Sequence, residues 1–198
     1  MFILQYSLTA LVVAIPIVFQ PELRNALIKL GRTKFTGGFL DLKKRELHEV
    51  IEIIVESCEI LSKQKIGALI VLARSDRLRE HVEKGKSLNA ELSTELLINI
   101  FSPKAPLHDG AVIIAGNKII AAGAVLPLSD SKFDYHLGTR HRAAIGLSSI
   151  SDAIVLVVSE ETGRVSIAID GVLETDLKPE QINEKLQGIL SIKINGKN

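Results

Sequence analysis

With 198 residues, 46% hydrophobic and 24% charged, the chain is long enough for one domain with a sizeable core and an extension at one end. A net charge of +1 argues against a duplex nucleic-acid binder, and two tyrosines with no tryptophan argue against a platform for stacked bases. The one cysteine, Cys58, excludes an internal disulfide and a cysteine-built zinc site, and suits a reducing compartment.

Residues 2–19, FILQYSLTALVVAIPIVF, carry no charge. A run of that length approaches what a helix needs to cross about 30 Å of hydrocarbon, so a membrane helix is expected here. Arg24, Lys29, Arg32 and Lys34 follow and would hold the next domain on the cytoplasmic side. QPELRNALIKLG reads as a short helix between Pro21 and Gly31, and TGGF at 36–39 as a hinge.

Leu47, Val50, Ile51, Ile54, Cys58 and Leu61 then recur at helical spacing, which predicts an amphipathic helix lying on a sheet. IGALIVLA is a continuous apolar run of buried-strand type. SDRLREHVEKGKSL is polar and is expected to be irregular or to hold a helical turn. STELLINIF reads as a helix capped by Ser93 and ended by Pro103 and Pro106. AVIIA and KIIAAGAVL, joined by Gly116-Asn117, form a hairpin signal. In LGTRHRAAIGLSS, Thr139 is suited to cap a helix running from Arg140. DAIVLVVS, RVSIAID and VLET read as strands turned by EETG and by Asp170-Gly171, and KPEQINEKLQGIL as a closing helix. The expected fold is α/β: a mixed, partly antiparallel central sheet flanked by helices, with a hydrophobic helix at the N-terminus.

Three polar clusters interrupt this apolar text: His108-Asp109-Gly110-Ala111, Gly138-Thr139-Arg140-His141-Arg142 and Ser159-Glu160-Glu161-Thr162-Gly163. All fall at strand or helix ends, where ligands of open sheets sit. Taken together they suit a phosphate. Arginine forks match phosphate oxygens, and a helix N-terminus favours anions. Asp109 with Glu160 or Glu161 offers hard oxygen ligands for Mg²⁺ or Mn²⁺, and His108 is acceptable to Mn²⁺. Gly110 and Ala111 leave room for a ligand to approach the backbone. No Walker A or GxGxxG sequence is present. Singly, Asp109-Gly110 is an ordinary turn pair and Glu160–Gly163 an ordinary surface loop. Two arginines in a first helical turn are electrostatically unfavourable without an anion nearby, and that mismatch is the sharpest hint at the level of residues.

The clusters, in this order, resemble the diadenylate cyclase domain of the bacterial membrane-bound type. Its DGA motif reads here as Asp109-Gly110-Ala111 and its RHR motif as Arg140-His141-Arg142; QPELR, IGALIV, ELLINIF, PLHDGAVII and LGTRHRAAIG match as well. The resemblance runs from roughly residue 18 to the end. It implies condensation of two ATP molecules into cyclic di-AMP, with release of two pyrophosphates, between two face-to-face subunits. Asp109 would help activate the attacking 3′-hydroxyl, as base or metal ligand. His108 and Glu161 would join it in holding Mn²⁺ or Mg²⁺. Arg140 and Arg142 would contact phosphate with His141 nearby. Gly110, Ala111, Leu126, Thr139, Ser159, Glu160 and Thr162 would line the nucleotide. Residues 1–35 are then the membrane or membrane-proximal part and 36–198 the catalytic domain, at the cell membrane with the domain cytoplasmic. The membrane-bound type usually has three membrane helices, and this sequence has room for one. A YbbR-type regulator and a phosphoglucosamine mutase are the protein partners implied; no nucleic acid is.

Overall fold

A computed structural model describes residues 42, 44–74, 78–129 and 137–191. The expected membrane helix, the basic helix behind it and the hinge at 36–39 lie outside these residues. Among the described residues no helix is long and apolar enough to cross a membrane.

The elements in chain order are α1 (Lys44–Lys63), β1 (Ala68–Leu72), α2 (Arg79–Lys84), β2 (Lys86–Glu91), α3 (Thr94–Phe101), β3 (Ala111–Ala115), β4 (Lys118–Ala124), α4 (Thr139–Ile150), β5 (Ile154–Val158), β6 (Val165–Ile169), β7 (Val172–Glu174) and α5 (Pro179–Ser191). The strands form one seven-stranded sheet in the order β2-β4-β3-β1-β5-β6-β7. Only β1 and β3 run parallel; the other neighbours are antiparallel, so the sheet is mixed as expected.

The central strands β1 and β5 are buried along their whole length. Their side chains alternate between two cores, which is why their sequences show no polar phase. Ala68, Ile70, Leu72, Ile154, Leu156 and Val158 join the core beneath α1, α3 and α5. Leu69, Val71, Val155 and Val157 join the opposite core, against α4. The helical spacing read in α1 is the spacing of its buried face, including Cys58. Burial pushes the Cys58 thiol up to about 12, so it acts as a small inert hydrophobe. Ser93 caps α3 as expected, its hydroxyl accepting from Leu96 N–H at 3.2 Å.

Residues 75–88, expected to be irregular or to hold a helical turn, contain the helix α2 and the start of the edge strand β2, which was not expected. β2 is mostly exposed, so no apolar alternation marks it; it is held by backbone pairing with β4 across a bulge near Asn89, whose φ is 50°. The Asp170-Gly171 turn has φ of 49° and 78°, the geometry of a tight hairpin between β6 and β7.

Candidate active site

The strand registers bring the three clusters to one edge of the sheet. β1 pairs with β3 as Ile70 with Val112, and with β5 as Ala68 with Val158. Continued to the strand ends, these registers set Asp109 and Ser159 on either side of Gly67. The backbones at 109 and 159 are then two strand spacings apart, roughly 10 Å.

The N-terminus of α4 sits over the same edge. Gly138, not Thr139, is its N-cap, and no side chain caps the first turn; Thr139 is the first helical residue. A threonine hydroxyl one position further in cannot reach back to the free N–H groups, so the expected cap is corrected to a bare one. The first turn carries Arg140, His141 and Arg142 and no acid. The anion that offsets them comes from the loop between β5 and β6. Arg140 Nη1 donates to Glu160 Oε2 at 2.7 Å, with the arginine side chain 22% exposed and the glutamate 64%. Arg142 turns elsewhere, donating from Nε and Nη2 to the Ser129 carbonyl at 3.3 and 3.1 Å, while its own carbonyl accepts from Ser129 N–H. His141 is held below the ordinary imidazole pKa, first by burial and then by the Arg140 charge; Glu161 pulls the other way.

The β5–β6 loop is fastened from within. Gly163 N–H donates to the Ser159 carbonyl at 2.9 Å, Thr162 N–H to Ser159 Oγ at 3.2 Å, and Arg164 N–H to Thr162 Oγ1 at 3.2 Å. Gly163 has φ 76°, and a Cβ there would stand 2.7 Å from the Ser62 carbonyl oxygen, so glycine is required twice over. The result is a loop braced by its own hydrogen bonds, with Glu160 and Glu161 both exposed.

Between α4 and this loop lies a cavity of about 380 Å³. Gly138, Thr139, Arg140 and His141 form one wall, Ser159 to Thr162 the other, and Val158 and Ser166 the floor. His108, Asp109, Gly110, Ala111, Leu126 and Arg142 do not line it. Ala111 and Leu126 are buried in the core beside α4. Gly110 has φ 119°, and a Cβ on it would come within 2.7 Å of the Gly123 carbonyl carbon, so its missing side chain serves first to let β3 lie against β4.

Asp109 is exposed at the mouth of β3. His108 is half-buried, and its Nδ1 lies 2.6 Å from the Ala105 carbonyl oxygen. A carbonyl only accepts, so Nδ1 is the donor, and in the neutral imidazole Nε2 is left with a lone pair for another partner. Among the described residues no three His, Cys, Asp or Glu side chains lie close enough together to hold a metal ion.

Two positions with a direct bearing on the cavity were not read as functional. Gly67 is buried beneath the Arg140–Glu160 pair, and a Cβ there would strike Arg140 Nη1 and stand 2.8 Å from Glu160 Oε2. Its only trace in the sequence is a glycine opening an apolar strand. Ser166 interrupts the apolar text of RVSIAID with a hydroxyl, which is a legible signal.

The family model described as DAC, DisA bacterial checkpoint controller nucleotide-binding, matches residues 55–173. A diadenylate cyclase of Listeria monocytogenes is 50% identical over 174 residues, covering 87% of this chain and 64% of the relative. The cyclic di-AMP synthase CdaA of Bacillus subtilis is 47% identical over 175 residues, covering 88% of this chain and 64% of the relative. The chain thus spans 64% of the length of these curated relatives. The crystal structure of a double mutant of DacA from Staphylococcus aureus superimposes with a TM-score of 0.69 at 46% identity, covering 71% of this chain and 94% of that one.

Proposed function

Because the chain belongs to the DAC family of DisA-type nucleotide-binding domains, we propose that it is a diadenylate cyclase, condensing two ATP into cyclic di-AMP with release of two pyrophosphates. The observation that carries this reading is the placement of two unlike groups at one sheet edge. A cavity walled by a bare helix N-terminus and Arg140 suits a nucleotide phosphate, while Asp109 stands outside its wall, exposed, at the same edge. One chain therefore offers a phosphate pocket and, apart from it, a carboxylate. Two copies face to face would form the pair of equivalent linkages that a two-fold product requires.

In each linkage the 3′-oxygen of one ATP attacks the α-phosphorus of the other, and pyrophosphate leaves. Arg140 exchanges its Glu160 partner for phosphate oxygens, with His141 nearby. Asp109 takes up or shares the 3′-hydroxyl proton. Thr139, Ser159 and Thr162 position the nucleotide, Leu126 and Ala111 shape the wall from the core side, and Arg142 acts through the Ser129 carbonyl that it grips. Positioning and charge neutralisation then supply most of the rate.

The donor set fits a hard divalent ion, Mn²⁺ or Mg²⁺. His108 presents Nε2, and Asp109 and Glu161 are exposed carboxylates. Such an ion would neutralise phosphate charge and acidify the 3′-hydroxyl. With no three of these donors gathered in one chain, the remaining ligands would come from the nucleotide and the facing subunit. Attachment to the membrane through residues 2–19, a cytoplasmic catalytic domain, and a YbbR-type regulator or phosphoglucosamine mutase as partners complete the proposal.

The test is chromatographic. ATP incubated with the chain and Mn²⁺ should yield cyclic di-AMP, and Asp109→Asn should lower the rate by about 10²- to 10⁴-fold with the fold intact. AMP or ADP as the product would replace the cyclase with a phosphohydrolase; nucleotide binding without turnover would replace it with a sensor.

A further inference from the structure

We infer that Ser166 is an additional substrate-binding residue, its hydroxyl donating to a phosphate oxygen of the nucleotide on the cavity floor. The inference rests on the cyclase reading and assigns a contact within that site. Ser166 sits on β6 opposite Val157, on the face of the sheet covered by α4. It is 1% exposed, and its Oγ has no hydrogen-bond partner. Buried hydroxyls are rarely left so, because withdrawal from water without a partner costs stability. The same side chain lines the cavity, so the missing acceptor is one that arrives with a ligand.

The chemistry of that acceptor follows from what stands above it. α4 is a 12-residue helix whose N-cap offers no side chain, and its first backbone bond is Arg142 N–H to the Gly138 carbonyl. The N–H groups of Thr139, Arg140 and His141 therefore have no acceptor within the helix. Three backbone donors, a guanidinium and a hydroxyl donor surround the same space, and an oxyanion satisfies all of them at once. Neighbouring threonines and serines of the loop are engaged in its own turns; Ser166 alone of the cavity hydroxyls is both buried and without a partner.

The test uses the full chain with α,β-methylene-ATP and Mg²⁺, which binds but cannot be cleaved at the reacting bond. Ser166→Ala should weaken its binding by about tenfold, the worth of one hydrogen bond to a charged group, and should leave adenosine binding unchanged. The nucleotide-free variant should melt no lower than the parent, since the substitution removes an unsatisfied group. Unchanged binding of the analogue, or a clearly lower melting temperature without nucleotide, overturns the assignment and leaves the cyclase reading standing. Equal losses for adenosine and the analogue move the contact to the nucleoside and overturn it too. A parent chain that binds no nucleotide overturns both.

Discussion

The two faces of the sheet are built from different materials. Beneath α1, α3 and α5 the core is made of large aliphatic side chains and Phe101, with two alanines among its 25 buried residues. Beneath α4 seven of the 15 buried residues are alanines, and the helix's Gly146 meets the backbone of 127–129 directly. Big side chains bury area and supply stability; small ones let backbones approach closely. The site lies on the second face. The comparison teaches that this protein separates the face that holds it together from the face that aims its arginine.

The sharpest way to break that division is to damage the first face alone. Ile54 is fully buried on the inner face of α1, so Ile54→Ala should cost about 2–5 kcal/mol of unfolding free energy by urea titration. The proposed cyclase activity per folded molecule should stay near the parent value at a temperature where the variant is folded. A matching loss of activity would show that the two faces are not independent.

Gly146→Ala probes the other face. Intrinsic helix propensity favours alanine by about 1 kcal/mol. Against that, the new Cβ would strike the Pro127 carbonyl oxygen and stand 2.9 Å from Leu128 C and Ser129 N, backbone atoms that cannot swing aside. Overpacking of this kind costs about 1–3 kcal/mol, so the clash wins. The helix must shift, and Arg140 with it. Stability and activity should fall together, whereas Ile54→Ala lowers only the first.

Gly67→Ala should separate them the other way. The atoms nearest its Cβ are the ends of two flexible side chains, Arg140 and Glu160, so the melting temperature should hardly change. The ion pair is displaced from its seat, and KM for ATP should rise about tenfold, the loss of one charge-assisted hydrogen bond. An unaltered KM would mean that Arg140 reaches phosphate without the space that Gly67 leaves for it.

The first face was the more legible in the sequence. Large apolar residues at helical spacing announce α1, and unbroken aliphatic runs announce β1 and β5, because both signals are written in bulk and period. The second face is written in absences. Gly67, Gly110 and Gly146 matter for atoms they lack, and a glycine does not say which backbone or side chain it makes room for. β2 escaped because an exposed edge strand has no apolar phase, and the Thr139 cap failed by one residue because helix ends are set by backbone geometry that neighbouring polar residues satisfy about equally well. The site motifs were legible as residues but not as a pocket, since convergence at one edge depends on strand register: Asp109 and Ser159 flank Gly67 only once β1 is paired on both sides.

The smallest expected effect sharpens the electrostatics of the second face. His141 is half-buried beside Arg140, and both influences hold its pKa below the ordinary 6.5; Glu161 opposes them. An NMR titration of the ring should therefore show a midpoint below 6.5, and Glu161→Gln should move it lower still. Between the folded midpoint and 6.5 the unfolded chain binds a proton that the folded chain does not. His141 thus contributes stability that is fully present above pH 6.5 and is lost as pH falls toward the depressed folded value. His141→Gln should flatten that part of the urea midpoint's pH dependence, while substitutions under α1 leave it unchanged. A ring midpoint above 6.5 in the free protein would mean that acidic groups outweigh Arg140 around the imidazole, and would reverse the sign of this contribution.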